Sequence, residues 1–184
     1  MSAPEVFPQD LKEFHRIREQ VAKAVALSGG LPESPFVFGW KESAVFEYDV
    51  VLSDAFGAVL AELTRRCGDS NVALLGLNPT ATYYREGYGF YPALHLSAAR
   101  VRAGWTQALF WEPDGDPTGS LAVSLNTVAA AGDSGEWAVW AQRDWEVGVL
   151  AGSFGQGFRV DDAPSHGADI DLDQIRSPSG WGCR

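Results

Sequence analysis

The chain reads as an α+β domain: a mostly antiparallel sheet, ending in a C-terminal meander, with two helices packed on one face. Three observations predict this. Near the end, Ser120–Ala131, Glu136–Gln142 and Trp145–Ala151 are short segments rich in β-branched and aromatic residues, parted by Gly132-Asp133-Ser134-Gly135 and by Arg143-Asp144. Such alternation between tight turns is the pattern of an up-and-down ribbon. Early in the chain, two stretches carry apolar residues at helical spacing. The order helix, two strands, helix, then mostly strands favours helices gathered on one side of an antiparallel sheet.

Pro8–Leu27 is the first helix. Leu11, Phe14, Ile17, Val21, Ala24 and Val25 share one side, and Lys12, Glu13, Arg16, Glu19 and Lys23 the other. Ser28-Gly29-Gly30 should end it, and Leu31–Pro35 is a stiff loop. Phe36–Trp40 and Ser43–Val51 are expected as strands, paired as a hairpin through Trp40-Lys41-Glu42. The second helix runs from about Ser53, a good N-cap, to Cys67, with Phe56, Val59, Leu60 and Leu63 as its stripe. Arg65 and Arg66 suit the negative end of its dipole.

Val72–Leu77 is almost continuously apolar and predicts a strand buried on both faces. Tyr83 to Tyr91, cut by Gly87 and Gly89, is expected as an aromatic loop. Ala93–Ser97 and Trp105–Glu112 are expected as strands, and Pro113–Gly119 as a turn before the meander. Residues 1–151 form one domain on this reading. Residues 152–184, rich in Gly and Asp, form a loosely packed C-terminal extension.

The 184 residues are 46% hydrophobic, 21% charged and carry a net charge of −10. A nucleic-acid binder must set Lys and Arg against phosphate, and the charge balance argues against that partner and against anionic membrane. It suits a basic protein. No apolar run approaches the length of a spanning helix. Met1-Ser2-Ala3-Pro4-Glu5 opens without a basic-then-apolar leader, so the expectation is a soluble, cytoplasmic protein.

Catalytic and metal motifs are weak. Gly132-Asp133-Ser134-Gly135 is similar to the nucleophile motif of trypsin-like serine proteases over those residues alone. Glu136 replaces the next glycine and would oppose a developing oxyanion. Asp169-Ile170-Asp171-Leu172-Asp173 alternates like a calcium loop but has Gln174 and Gly180 where glycine and the bidentate glutamate belong. His15, His95 and His166 lie far apart, no Cys-x-x-Cys occurs, and Gly152–Gly157 lacks the lysine of a phosphate loop. The expectation is therefore no metal and no cofactor.

Two surfaces stand out. Tyr83, Tyr84, Arg85, Glu86, Tyr88 and Tyr91 supply the broad amphipathic contacts that binding surfaces use, against the alternative that the rings pack inward. His95 alternates with Leu94 and Leu96 and so points away from both, toward solvent or a cleft. In the meander, Trp137, Trp140 and Trp145 cannot all lie on one face, since Trp137 and Trp140 are three apart. One Trp is either covered or exposed, and an exposed Trp beside Glu136 or Glu146 would suit a partner site. Trp140 and Glu146 are the candidates there.

The expected function is a non-catalytic interaction protein, with a protein partner, plausibly a basic one. Small acidic α+β chains with Trp-rich strands resemble immunity proteins in style, which neutralise toxins. No motif carries that likeness. The alternative is a small-molecule binder or hydrolase-type enzyme with a cleft around His95 and the Tyr83–Tyr91 segment.

Overall fold

The computed structural model describes residues 3–30, 33–40 and 42–153. Asp10 opens the first helix, α1 (Leu11–Ala22), by accepting the Glu13 amide at 2.8 Å. The helix stops at Ala22, earlier than Leu27. The chain then turns back, and Phe36 makes a single bridge with Val25. Phe36–Trp40 is thus no strand of a hairpin. Glu42–Glu47 is β1, and Tyr48–Leu52 coils into a 3₁₀ turn where the strand was expected to continue. Helix α2 (Asp54–Cys67) is capped by Ser53 and closed by left-handed Gly68, as its sequence dictates.

Strand β2 (Asn71–Asn78) leads into α3 (Ala81–Tyr88), β3 (Ala93–Ser97) and α4 (Val101–Leu109). A short helical turn, α5 (Leu121–Ser124), precedes β4 (Thr127–Gly132), β5 (Trp137–Gln142) and β6 (Val147–Gly152). Every pairing is antiparallel, in the order β1-β6-β5-β4-β2-β3. The meander therefore forms the middle of the sheet. β1 joins its far side and β2–β3 its near side.

Three further expectations need correction. First, α1 and α2 lie on opposite faces, not together on one. Along β2, Ala73 and Leu75 pack with Phe14, Ile17 and Val21 of α1, whereas Val72 and Leu74 pack with Phe56, Leu60 and Leu63 of α2. The central strands are apolar on both faces, as Val128-Ala129-Ala130-Ala131 of β4 also shows. Each face therefore needs its own cover. The α1 face is lined by alanines (Ala73, Ala129, Ala131, Ala138), which lets that helix sit close.

Second, Trp105–Glu112 is not a strand. Val101, Trp105, Ala108 and Leu109 are buried at helical spacing on α4, which packs beside α2. The Trp105 indole donates to the Val51 carbonyl at 2.7 Å. Gly57 makes the approach possible, since a Cβ there would stand 3.1 Å from Trp105 Cβ. Third, Ser120–Ala131 divides, and its first part is α5 rather than strand.

The meander is placed well otherwise. Asp69, 7% exposed, accepts from the Trp137 indole at 2.8 Å and from the Ser134 amide at 2.6 Å, and so fastens the β4–β5 turn. Expectations for the tail (the loosely packed extension, the acids of Asp169–Asp173, His166, Cys183) lie outside the described residues. Among the described residues no helix is long and apolar enough to cross a membrane.

Candidate functional site

The aromatic segment Tyr83–Tyr91 is helical through Tyr88. Thr80 caps it and left-handed Gly89 ends it, so the expected loop is a helix. Helical spacing sorts the rings. Tyr84 is fully buried, with its hydroxyl 2.6 Å from Ser124 Oγ, and burial pushes its pKa up to about 12. Tyr88 is half-buried against Tyr84 and Phe90, while Tyr83 stays exposed. Arg85 donates to the Gly89 carbonyl and lies over the Tyr91 ring, which itself stacks on Phe14. Glu86 is exposed on the same helix. Arg85 and Tyr88 line a recess of about 330 Å³ with Phe90, Trp111 and Asp114. Tyr84 and Phe90 therefore serve the core, while Tyr83, Arg85 and Glu86 stay exposed.

His95 sits on β3 opposite Ala73 and points to the α1 side. Its backbone amide donates to Val6, and its Nε2 is buried with no partner among the described residues. Burial, helped by the Arg16 charge, holds its pKa below the ordinary value. Tyr84 belongs to the core on the other side of the sheet. The fold thus separates His95 from Tyr84 and does not assemble them in one cleft. Among the described residues no group of His, Cys, Asp and Glu gathers as metal ligands would.

The meander holds the more distinctive arrangement. Trp137 and Trp140 are both buried, on opposite faces of β5. Trp145 is 56% exposed. It is not in a strand. β6 starts at Val147, and Arg143–Trp145 makes a 3₁₀ turn with Glu146 left-handed behind it (φ 53°). That turn is pinned from several sides. The Arg143 guanidinium donates to the carbonyls of Ala122 and Val123 and lies over the Tyr48 ring. Asn126 donates to the Asp144 carboxylate at 2.6 Å and accepts the Asp144 amide at 3.1 Å. The Glu146 carbonyl takes the Tyr48 amide at 3.2 Å. An exposed indole is therefore held on a rigid mount.

Trp145 forms one wall of a recess of about 480 Å³. Ser28, Gly29, Gly30, Glu33, Thr127, Trp140 and Gln142 line it as well. Trp140 is 1% exposed, and its indole N–H has no partner among the described residues. A Cβ on Gly30 would stand 3.6 Å from Trp140 Cζ2, on the same edge of the indole as Nε1. Trp145, Gln142 and Glu33 thus line one shallow recess over the buried Trp140. Chemically the place offers an exposed indole and a carboxylate to a partner surface.

Of the residues singled out from sequence, Trp140 lies in this recess, and Glu146 is exposed next to Trp145. Trp145 was weighed with Trp137 and Trp140 but not chosen, and Glu33, Gln142 and Ser28–Gly30 were not singled out. For Trp145 a signal was present: it directly follows the polar turn pair Arg143-Asp144. Glu33 carries none, since only tertiary packing brings the loop after α1 to β5. Comparison of the chain with protein-family models, with curated proteins and with solved structures finds no match.

Proposed function

We propose that this chain is a non-catalytic binding protein whose partner is a basic protein, in the manner of an immunity protein that covers a toxin. The observation that carries the reading is Trp145: a large apolar side chain left half in solvent on a pinned turn, with the exposed acids Asp144 and Glu146 beside it and Glu33 lining the same recess. Aromatic anchors on rigid mounts bind without a large ordering cost. The net charge of −10 adds a long-range attraction for a cationic surface. The exposed segment Val37-Phe38 extends the apolar surface outside the core.

The test is affinity capture from the native source at low and at physiological ionic strength, followed by reconstitution from purified components. A stoichiometric complex with a protein of net positive charge, weakened by added salt, is the expected result. A preparation free of any stoichiometric partner at both ionic strengths would overturn the reading.

A further inference from the structure

On the partner reading above, we propose that the basic partner binds one continuous face of this chain, made by α3, α5 and the Arg143–Trp145 turn and anchored by Tyr83, Val123 and Trp145. Each of these is the large side chain that its element leaves in solvent, at 48%, 49% and 56% exposure. The three elements are fastened to one another. The Tyr84 hydroxyl on α3 lies 2.6 Å from Ser124 Oγ on α5. From the turn, Arg143 donates to the Ala122 and Val123 carbonyls of the same α5. α5 thus stands between the helix that carries Tyr83 and the turn that carries Trp145. Directly after α5, the Leu125 carbonyl accepts the Tyr48 hydroxyl at 2.8 Å, and Tyr84 and Leu121 anchor the same unit in the core. A backbone held in this way has little freedom left to lose on binding. Large side chains at the centre of an interface supply most of its energy.

Charge decides which partner fits. Glu86 on α3 and Asp144 and Glu146 at the turn are exposed. Asp116 adds a fourth exposed carboxylate beside α3: it accepts from Thr118, whose hydroxyl lies 3.5 Å from that of Tyr88. Within α3, α5 and the turn the cations are Arg85 and Arg143, and both are engaged at home. Arg85 meets the Gly89 carbonyl and the Tyr91 ring, and Arg143 meets α5 and the Tyr48 ring. Four carboxylates against two guanidinium groups leave the face negative. A second copy of the chain, itself at −10, would meet it with like charge. The occupant is instead a basic surface that presents apolar side chains between lysines or arginines, so that the acids steer its approach and the apolar centre excludes water.

The probe is the capped peptide acetyl-Lys-Leu-Lys-Leu-Lys-amide, titrated into the full chain at low ionic strength while the backbone amide resonances are followed by NMR. Saturable shifts grouped on α3, α5 and residues 143–146 are expected, with a dissociation constant on the order of 1 mM, as suits a short peptide outside its protein. The peptide with serine in place of leucine should bind about fivefold more weakly or less tightly still. The peptide with glutamate in place of lysine should give no saturation. Tyr83→Ser, Val123→Ser and Trp145→Ser change exposed side chains and should each weaken the lysine–leucine peptide about threefold or more, with the fold intact by circular dichroism. Leu11→Ser, an exposed change on α1, should leave the affinity unchanged. Shifts confined to Leu11, Val37-Phe38 or Phe110, equal binding of the serine peptide, absence of saturable binding, or weakening by Trp145→Ser alone would overturn the proposal. So would self-association of the chain through these three residues. If a captured partner binds the triple variant as tightly as the original chain, this face is wrong while the partner reading stands. If no partner is captured at all, that reading falls by its own test.

Discussion

Replacing Asp69 by alanine should destabilise the domain by about 3–4 kcal/mol. The carboxylate accepts the Trp137 N–H at 2.8 Å and the Ser134 amide at 2.6 Å. Trp137 is fully buried, so its donor would be stranded without water, at about 2–3 kcal/mol for a lost bond to a charged acceptor. The Ser134 amide lies in an exposed turn where water can replace the carboxylate, which adds only about 1 kcal/mol. For a domain of this size the sum corresponds to a fall in Tm of roughly 10 °C. Urea unfolding followed by tryptophan fluorescence measures it, with the slope expected to stay unchanged. Asp69→Asn keeps an acceptor and should cost about half as much. A loss below about 1 kcal/mol for Asp69→Ala would show that the β4–β5 turn holds without this tie, and the argument would fail.

Glu146 holds a left-handed backbone (φ 53°), which glycine adopts without strain. Glu146→Gly should therefore raise stability by about 0.5–1 kcal/mol, read as a small rise in Tm in a thermal melt. Gly148→Ala should cost about 1–3 kcal/mol, because a Cβ there would stand 2.2 Å from the Phe46 ring; an unchanged urea midpoint would refute the packing. For His95 the folded pKa is lowered by burial, so the unfolded chain takes up the proton first and stability declines as pH falls from neutral through the ordinary histidine range. His95→Gln should flatten that part of the stability–pH curve. Tyr84 has the opposite sign. Its pKa of about 12 exceeds the ordinary tyrosine value, so its contribution is intact below about pH 10 and declines as pH rises toward 12. Tyr84→Phe should remove that alkaline loss, as checked by urea midpoints across the range.

Much of the architecture was open to reading because its signals are local. Ser53 and Gly68 bracket α2 by capping chemistry alone. The face assignment of β5, with Trp137 and Val139 opposite Ala138 and Trp140, follows from the two-residue period of a strand. The misreadings arise where two periods compete. Trp105 and its neighbours have residues that favour strands, yet Val101, Trp105, Ala108 and Leu109 bury one helical face. Tyr83–Tyr88 is broken by Gly87, yet Thr80 and Gly89 make it a helix. For the candidate site, sequence reached Trp140 and Glu146 but not Glu33 or Ser28–Gly30, which line the recess with Trp140.

By itself, then, the amino-acid order determined an antiparallel α+β domain, its capped helices, the alternation of its meander and its acidic charge. These depend on residues close together in the chain. Which helix covers which face, and the meeting of Glu33 with Trp140 and Trp145 around one recess, were decided only in the tertiary structure. Strand order β1-β6-β5-β4-β2-β3 arises from contacts between distant segments. Such contacts depend on shape and on what each buried surface needs for cover, and neither leaves a mark in any short window of sequence.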